Sequence, residues 1–128
     1  MLRILLIDDS LLFLTSLTEL LGLFPGVGVV GMAGNGEEGL QAARELAPDL
    51  IFVDMHLPGR LNGLQVAEQL CLLQPSIRVV MLSWHDDTEY RARAAGCGVE
   101  RFVCKSNMLT KLSNILKGPL SSAEGASS

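Results

Sequence analysis

Cysteine is scarce in this 128-residue chain: Cys71, Cys97 and Cys104 are an odd number with no CxxC pair. That pattern suggests neither a disulfide framework nor a cysteine zinc site, and it makes a reducing cytoplasm the expected compartment. Long apolar runs are missing as well. The first one ends at two aspartates after residue 7, too early for a secretory signal, and none approaches the ~18 residues that span a bilayer. Basic runs are also lacking. Ten Lys+Arg against fourteen Asp+Glu leave a net charge of −4, so direct nucleic-acid binding is not expected. What is present is a core: 48% of residues are hydrophobic and 19% charged, which fits one compact domain.

Runs of bulky and β-branched residues predict strands at Arg3 to Ile7, Gly28 to Ala33, Leu50 to Val53, Arg78 to Leu82 and Arg101 to Cys104. Helical spacing fills the intervals, at Leu11 to Leu23, Glu37 to Ala47, Leu64 to Leu73, Thr88 to Ala95 and Met108 to Lys117. Three pairs at N-cap and N3 spacing mark helix starts: Asn35 with Glu38, Asn62 with Gln65, and Asp86 with Glu89. Breakers fall between elements, at Pro25–Gly26, Pro48, Pro58–Gly59, Pro75, and Gly96 with Gly98. Strands that read as continuous apolar runs are buried on both faces. Five βα units of this kind predict an α/β fold, a doubly wound five-stranded parallel sheet of order 2-1-3-4-5, flavodoxin-like.

In such a sheet, ligands bind beyond the carboxyl ends of the strands. The first strand runs into Asp8 and Asp9, the third into Asp54, the fourth into Ser83 and the fifth into Lys105. The second ends in Gly34 without an ionisable group, as suits an edge strand. Taken singly, the DDS triplet reads as a turn and cap, Ser83 as a turn residue and Lys105 as a solvated lysine. Taken together, they make a site. Three carboxylates at one rim repel each other unless a cation neutralises them, and an oxygen-only donor set suits Mg2+. Asp54 is then placed to present an oxygen to phosphorus, with Lys105 and Ser83 donating to phosphoryl oxygens.

The segments ILLIDDS, DLIFVDMHLPGRLNG, VVMLSWHDD and GVERFVCK resemble the response-regulator receiver (CheY-like) domain of two-component signalling, over residues 1–117. The resemblance implies that Asp54 accepts a phosphoryl group from a sensor histidine kinase, a phosphotransfer protein or a small donor. It implies Mg2+ held by Asp8, Asp9, Asp54 and the backbone carbonyl of Met55. On phosphorylation the Ser83 hydroxyl is implied to move towards the phosphoryl group and Phe102 to turn inward into the space vacated, altering the surface of the fourth helix, fifth strand and fifth helix. His56 and His85 fall at positions that tune phosphorylation and dephosphorylation rates. Trp84 stands where a small residue is usual, and it either narrows access, contacts a partner, or packs on Tyr90 or the nearby loop.

The wording is nearest to receivers of helix-turn-helix (NarL/FixJ-type) regulators. Residues 118–128 are expected to be a frayed tail or the start of an interdomain linker. Between Pro58 and Gly63 the loop is one residue longer than usual, so a rearranged loop is expected there. The leucine-rich first helix is either all core or offers Leu14 and Leu21 to a kinase helix or another subunit. Expected partners are the kinase or phosphotransfer protein, a downstream effector or output domain, and a second copy of the chain, with no membrane. No catalysis on a separate substrate is expected. The competing readings are a constitutive protein-binding module, an aspartate-nucleophile phosphatase and a flavin carrier. The phosphatase needs an aspartate where His56 stands, and the carrier needs a phosphate loop where Asp8 and Asp9 stand.

Overall fold

The computed structural model describes residues 1–85 and 88–119. Its strands are β1 (Leu2–Ile7), β2 (Val27–Ala33), β3 (Leu50–Asp54), β4 (Arg78–Ser83) and β5 (Arg101–Cys104). The helices α1 (Leu11–Leu21), α2 (Gly36–Leu46), α3 (Gly63–Leu73), α4 (Thr88–Gly96) and α5 (Met108–Lys117) alternate with them. All pairings are parallel and the order is β2-β1-β3-β4-β5. The doubly wound, flavodoxin-like arrangement is thus the observed one.

Alternation along each central strand divides the core in two. Leu5, Ile7, Ile51, Val53, Val79 and Met81 face α2, α3 and Ala94 of α4. Ile4, Leu6, Leu50, Phe52, Val80 and Leu82 face α1 and α5. Leu14 and Leu21 of α1 lie in that second core, so neither is free to dock a partner. Leu11 and Leu12 are the exposed leucines of that helix. At the amino end of the sheet, Arg78 pairs with Glu100 at 2.6 Å and donates to the Ile115 carbonyl at 2.7 Å, anchoring the end of α5.

The caps divide the helix starts. Asn62 and Gln65 form a complete capping box at α3. Asn35 caps Glu38, but the Glu38 carboxylate reaches Gly34 instead of Asn35. The third pair includes Asp86, which lies outside the described residues, as do residues 120–128 of the expected tail. α1 stops at Leu21, two residues short of the predicted end, where the bonding tightens to i→i−3 turns, with the Leu23 N–H donating to Leu20 and the Phe24 N–H to Leu21. Asp54 and Ser83 are the last residues of their strands, which fixes both on the carboxyl rim.

Candidate functional site

Four strand ends converge on this rim. Asp8, Asp9 and Asp54 each offer one carboxylate oxygen, and these lie within 4.8 Å of one another. Asp8 and Asp54 are buried, whereas Asp9 is exposed. The Lys105 ammonium reaches across from the end of β5, 2.6 Å from Asp8 Oδ2 and 3.6 Å from Asp54 Oδ2. Lys105 opens a 3-10 turn over Lys105–Asn107, so its side chain leaves the strand toward the acidic group.

Local backbone geometry holds each carboxylate. Asp8 Oδ1 accepts the Ser10 N–H at 2.8 Å, and Ser10 in turn caps α1 by accepting from Phe13. Asp54 Oδ1 accepts the His56 N–H at 3.3 Å. Burial first, and then the Asp8 charge, push the Asp54 carboxyl up to about 6, against the opposing pull of Lys105 and the His56 N–H. Asp8 Oδ2 is buried and receives no aligned hydrogen bond. A buried carboxylate oxygen with spare lone pairs, beside two more carboxylates, fits a hard divalent cation such as Mg2+.

Gly63 explains how the α3 terminus comes so close. Its N–H donates to the Met55 carbonyl at 2.9 Å, while a Cβ there would stand 2.0 Å from the Asp54 carbonyl oxygen. The Met55 carbonyl therefore has one lone pair committed, leaving only the other for a cation. In the loop before the helix, Gly59 takes φ +91° and Asn62 caps α3.

The remaining candidates surround this group. Ser83 is fully buried, and its Oγ accepts the His85 N–H at 3.1 Å. His56 and His85 are both exposed, and it is their backbone amides that donate to Asp54 and Ser83. Phe102 is buried in the α2–α3–α4 core with the Arg91 guanidinium 5.1 Å above its ring. Trp84 packs edge-to-face on Phe13, with 6.0 Å between ring centroids. Phe13 was absent from the sequence candidates. Its only signal there is its place in the first turn after Ser10, which directs it over the rim. Cys71, Cys97 and Cys104 are all half-buried, so Cys71 and Cys104 are less enclosed than core positions.

A parallel α/β domain with carboxylates, an ammonium and a hydroxyl on one rim is suited to holding a cation and an anion together. The chain belongs to the response regulator receiver domain family of two-component systems, whose profile matches residues 4–117. Phosphorylation and magnesium binding are typical of that family. The chain is 34% identical over 112 residues to the response regulator GacA of Pseudomonas viridiflava, covering 88% of this chain and 52% of GacA. To the nitrate/nitrite response regulator NarL of Escherichia coli it is 37% identical over 102 residues, 80% of this chain and 47% of NarL. It thus spans about half the length of these curated relatives. The signal receiver domain of the putative response regulator NarL from Mycobacterium tuberculosis superposes with a TM-score of 0.80 at 28% identity, over 91% of this chain and 97% of that one. Among the described residues, no helix is long and apolar enough to cross a membrane.

Proposed function

We propose that the chain is a phosphoacceptor: Asp54 takes a phosphoryl group, and the resulting charge is read by a protein partner. A carboxylate oxygen of Asp54 forms a bond to phosphorus while the bond to the donor's leaving group breaks, the leaving group keeping the electron pair. Asp8, Asp9 and Asp54 would hold Mg2+ with the Met55 carbonyl. There the ion supplies positive charge that offsets the carboxylates and phosphoryl oxygens. Lys105 and the Ser83 hydroxyl bind the transferred oxygens, and Ser83 and Phe102 carry the switch. His56 and His85 flank the acceptor and tune the lifetime of the acyl phosphate. Residues 1–117 are the receiver, and 118–128 begin a tail or linker. The phosphodonor is a sensor histidine kinase or phosphotransfer protein, the readout is an effector or output domain, and the setting is cytoplasmic.

The observation that carries this reading is the triad of carboxylate oxygens within 4.8 Å with Lys105 against two of them. The test is incubation with Mg2+ and acetyl phosphate followed by intact mass. A phosphate-sized gain that Asp54→Asn abolishes supports the proposal. No gain in the wild-type chain refutes it in favour of a constitutive binding module, and steady turnover of phosphate esters points to a phosphatase. In the same assay, unchanged acyl-phosphate half-lives in both His56→Ala and His85→Ala would remove the tuning role.

A further inference from the structure

The Lys105 ammonium is enclosed on two sides. One side is the carboxylate pair, Asp8 at 2.6 Å and Asp54 at 3.6 Å. The other is a pair of aromatic rings, with centroids 4.3 Å away for Phe13 and 5.3 Å for Trp84. The rings meet at 74°, and the ammonium lies over the ring of each. The lysine side chain is only 1% exposed. Attraction between an ammonium and a ring quadrupole strengthens when water is excluded in this way.

Both rings are placed by element ends. Phe13 lies in the first turn of α1, with its N–H on the Ser10 cap. Trp84 directly follows β4, and its carbonyl accepts from Cys104 Sγ at 3.5 Å, tying it to β5 beside Lys105. Trp84 is 57% exposed.

We propose that Phe13 and Trp84 form an aromatic clamp that fixes the Lys105 ammonium against Asp8 and Asp54, which makes both of them positioning residues for phosphoryl transfer. The inference rests on the proposed function, since the ammonium so held is the one that meets the transferred oxygens. It also has a separate consequence. The clamp holds Lys105 nearer Asp8 than Asp54, where it competes with a divalent cation for Asp8 Oδ2. Loosening the clamp therefore tightens Mg2+ binding while slowing phosphoryl acceptance. A ring that merely narrowed the mouth of the site would give faster acceptance and unchanged Mg2+ affinity on truncation.

The test compares Trp84→Leu and Phe13→Leu, which keep apolar bulk but lose the π face, with Trp84→Phe, which keeps it. Without phosphodonor, NMR follows the ring-current displacement of the Lys105 side-chain protons, and calorimetry follows Mg2+ binding. With acetyl phosphate, intact mass follows the transfer, in which the phosphorus–oxygen bond to acetate breaks and acetate departs with the electron pair. In Trp84→Leu the lysine protons should lose most of their displacement, the Mg2+ dissociation constant should fall about threefold, and acceptance at saturating donor should slow about fivefold. Trp84→Phe should stay within about twofold of wild type on every measure. Equal behaviour of the Leu and Phe variants, an unmoved lysine signal, or faster acceptance in Trp84→Leu would overturn the clamp. A wild-type chain that takes no phosphate would refute the proposed function alone, because the lysine displacement and Mg2+ affinity still decide whether the rings hold Lys105.

Discussion

α3 and α4 cover the same face of the sheet on either side of β4, yet they are fastened very differently. α3 buries Gly63, Leu64, Val66, Ala67 and Leu70, begins with a complete capping box, and donates its first N–H to the strand-end turn carrying Asp54. In α4, TEYRARAAG, the only buried residue is Ala94. Its ties are polar by comparison: Arg91 donates to the Phe102 carbonyl at 3.1 Å and lies over that residue's ring. The acceptor strand end thus lies against the firm helix, and α4 is the helix of that face with the least apolar burial. A charge placed at Asp54 can bias only a segment whose alternative arrangements are close in free energy, and low burial is what brings them close.

The contrast is broken most severely at Gly63. An added methyl would meet backbone, 2.0 Å from the Asp54 oxygen and 2.6 Å from Met55 Cα, where no side chain can yield. Gly63→Ala should destabilise the domain by about 3 kcal/mol or more, measured by urea unfolding. Wild-type stability in this variant would show that the α3 terminus can retreat and is not firmly docked. Next, truncation should cost unequal amounts in the two helices. Leu70→Ala, at a fully buried position, should lose about 3 kcal/mol, whereas Ala94→Gly should lose about 1 kcal/mol. Hydrogen exchange should open α4 before α3, and the reverse order would sink the comparison.

Asp54 sharpens the same contrast through pH. Its folded value of about 6 lies above the ordinary 3.8 because burial and Asp8 oppose ionisation. Between those two values the folded chain binds a proton that the unfolded chain does not. Its contribution to stability therefore grows as pH falls through 6 and is complete below about 4. Asp54→Asn should remove this dependence, so the stability gain on acidification from pH 7 to 5, without Mg2+, should be smaller in the variant. Acceptance of phosphate needs Asp54 as the carboxylate, the form that a divalent cation beside it favours. An equal acid response in wild type and Asp54→Asn would remove Asp54 as the titrating group.

The fold was legible because each level of sequence signal agreed. Continuous apolar runs such as ILLI and LIFV gave buried parallel strands, and breakers separated the helices. The charged members of the site were legible through the rule that strand ends face the ligand. Asp54 and Ser83 close β3 and β4, and Asp8 and Lys105 immediately follow β1 and β5. Two other parts were not. Phe13 reads as one more hydrophobic residue of a leucine-rich helix, and only its distance to Lys105, set by three separate elements, reveals its neighbour. The engagement of the Met55 carbonyl by Gly63 depends on a backbone approach across a loop, which residue identities do not encode beyond the bare presence of glycine. For α1 the core reading holds at Leu14 and Leu21 and the docking alternative falls there, while the exposure of Leu11 and Leu12 depends on the helix's rotation about its axis, which composition does not carry.

The smallest expected effect is at Arg91, which tests whether α4 is held by the polar tie or by its single buried alanine. The guanidinium joins α4 to β5 through the Phe102 carbonyl, and it covers a ring that is itself only 6% exposed. Replacing it with lysine keeps the charge but loses the planar donor fork and the stacked face. Arg91→Lys should lower global stability by less than about 1 kcal/mol, since an interaction of this kind near the surface contributes about that much. Local opening should respond more strongly: amide exchange in α4 should accelerate severalfold while α3 stays unchanged. If α3 and α4 accelerated together, the two helices would open as one unit, and the difference in their burial would not translate into a difference in mobility.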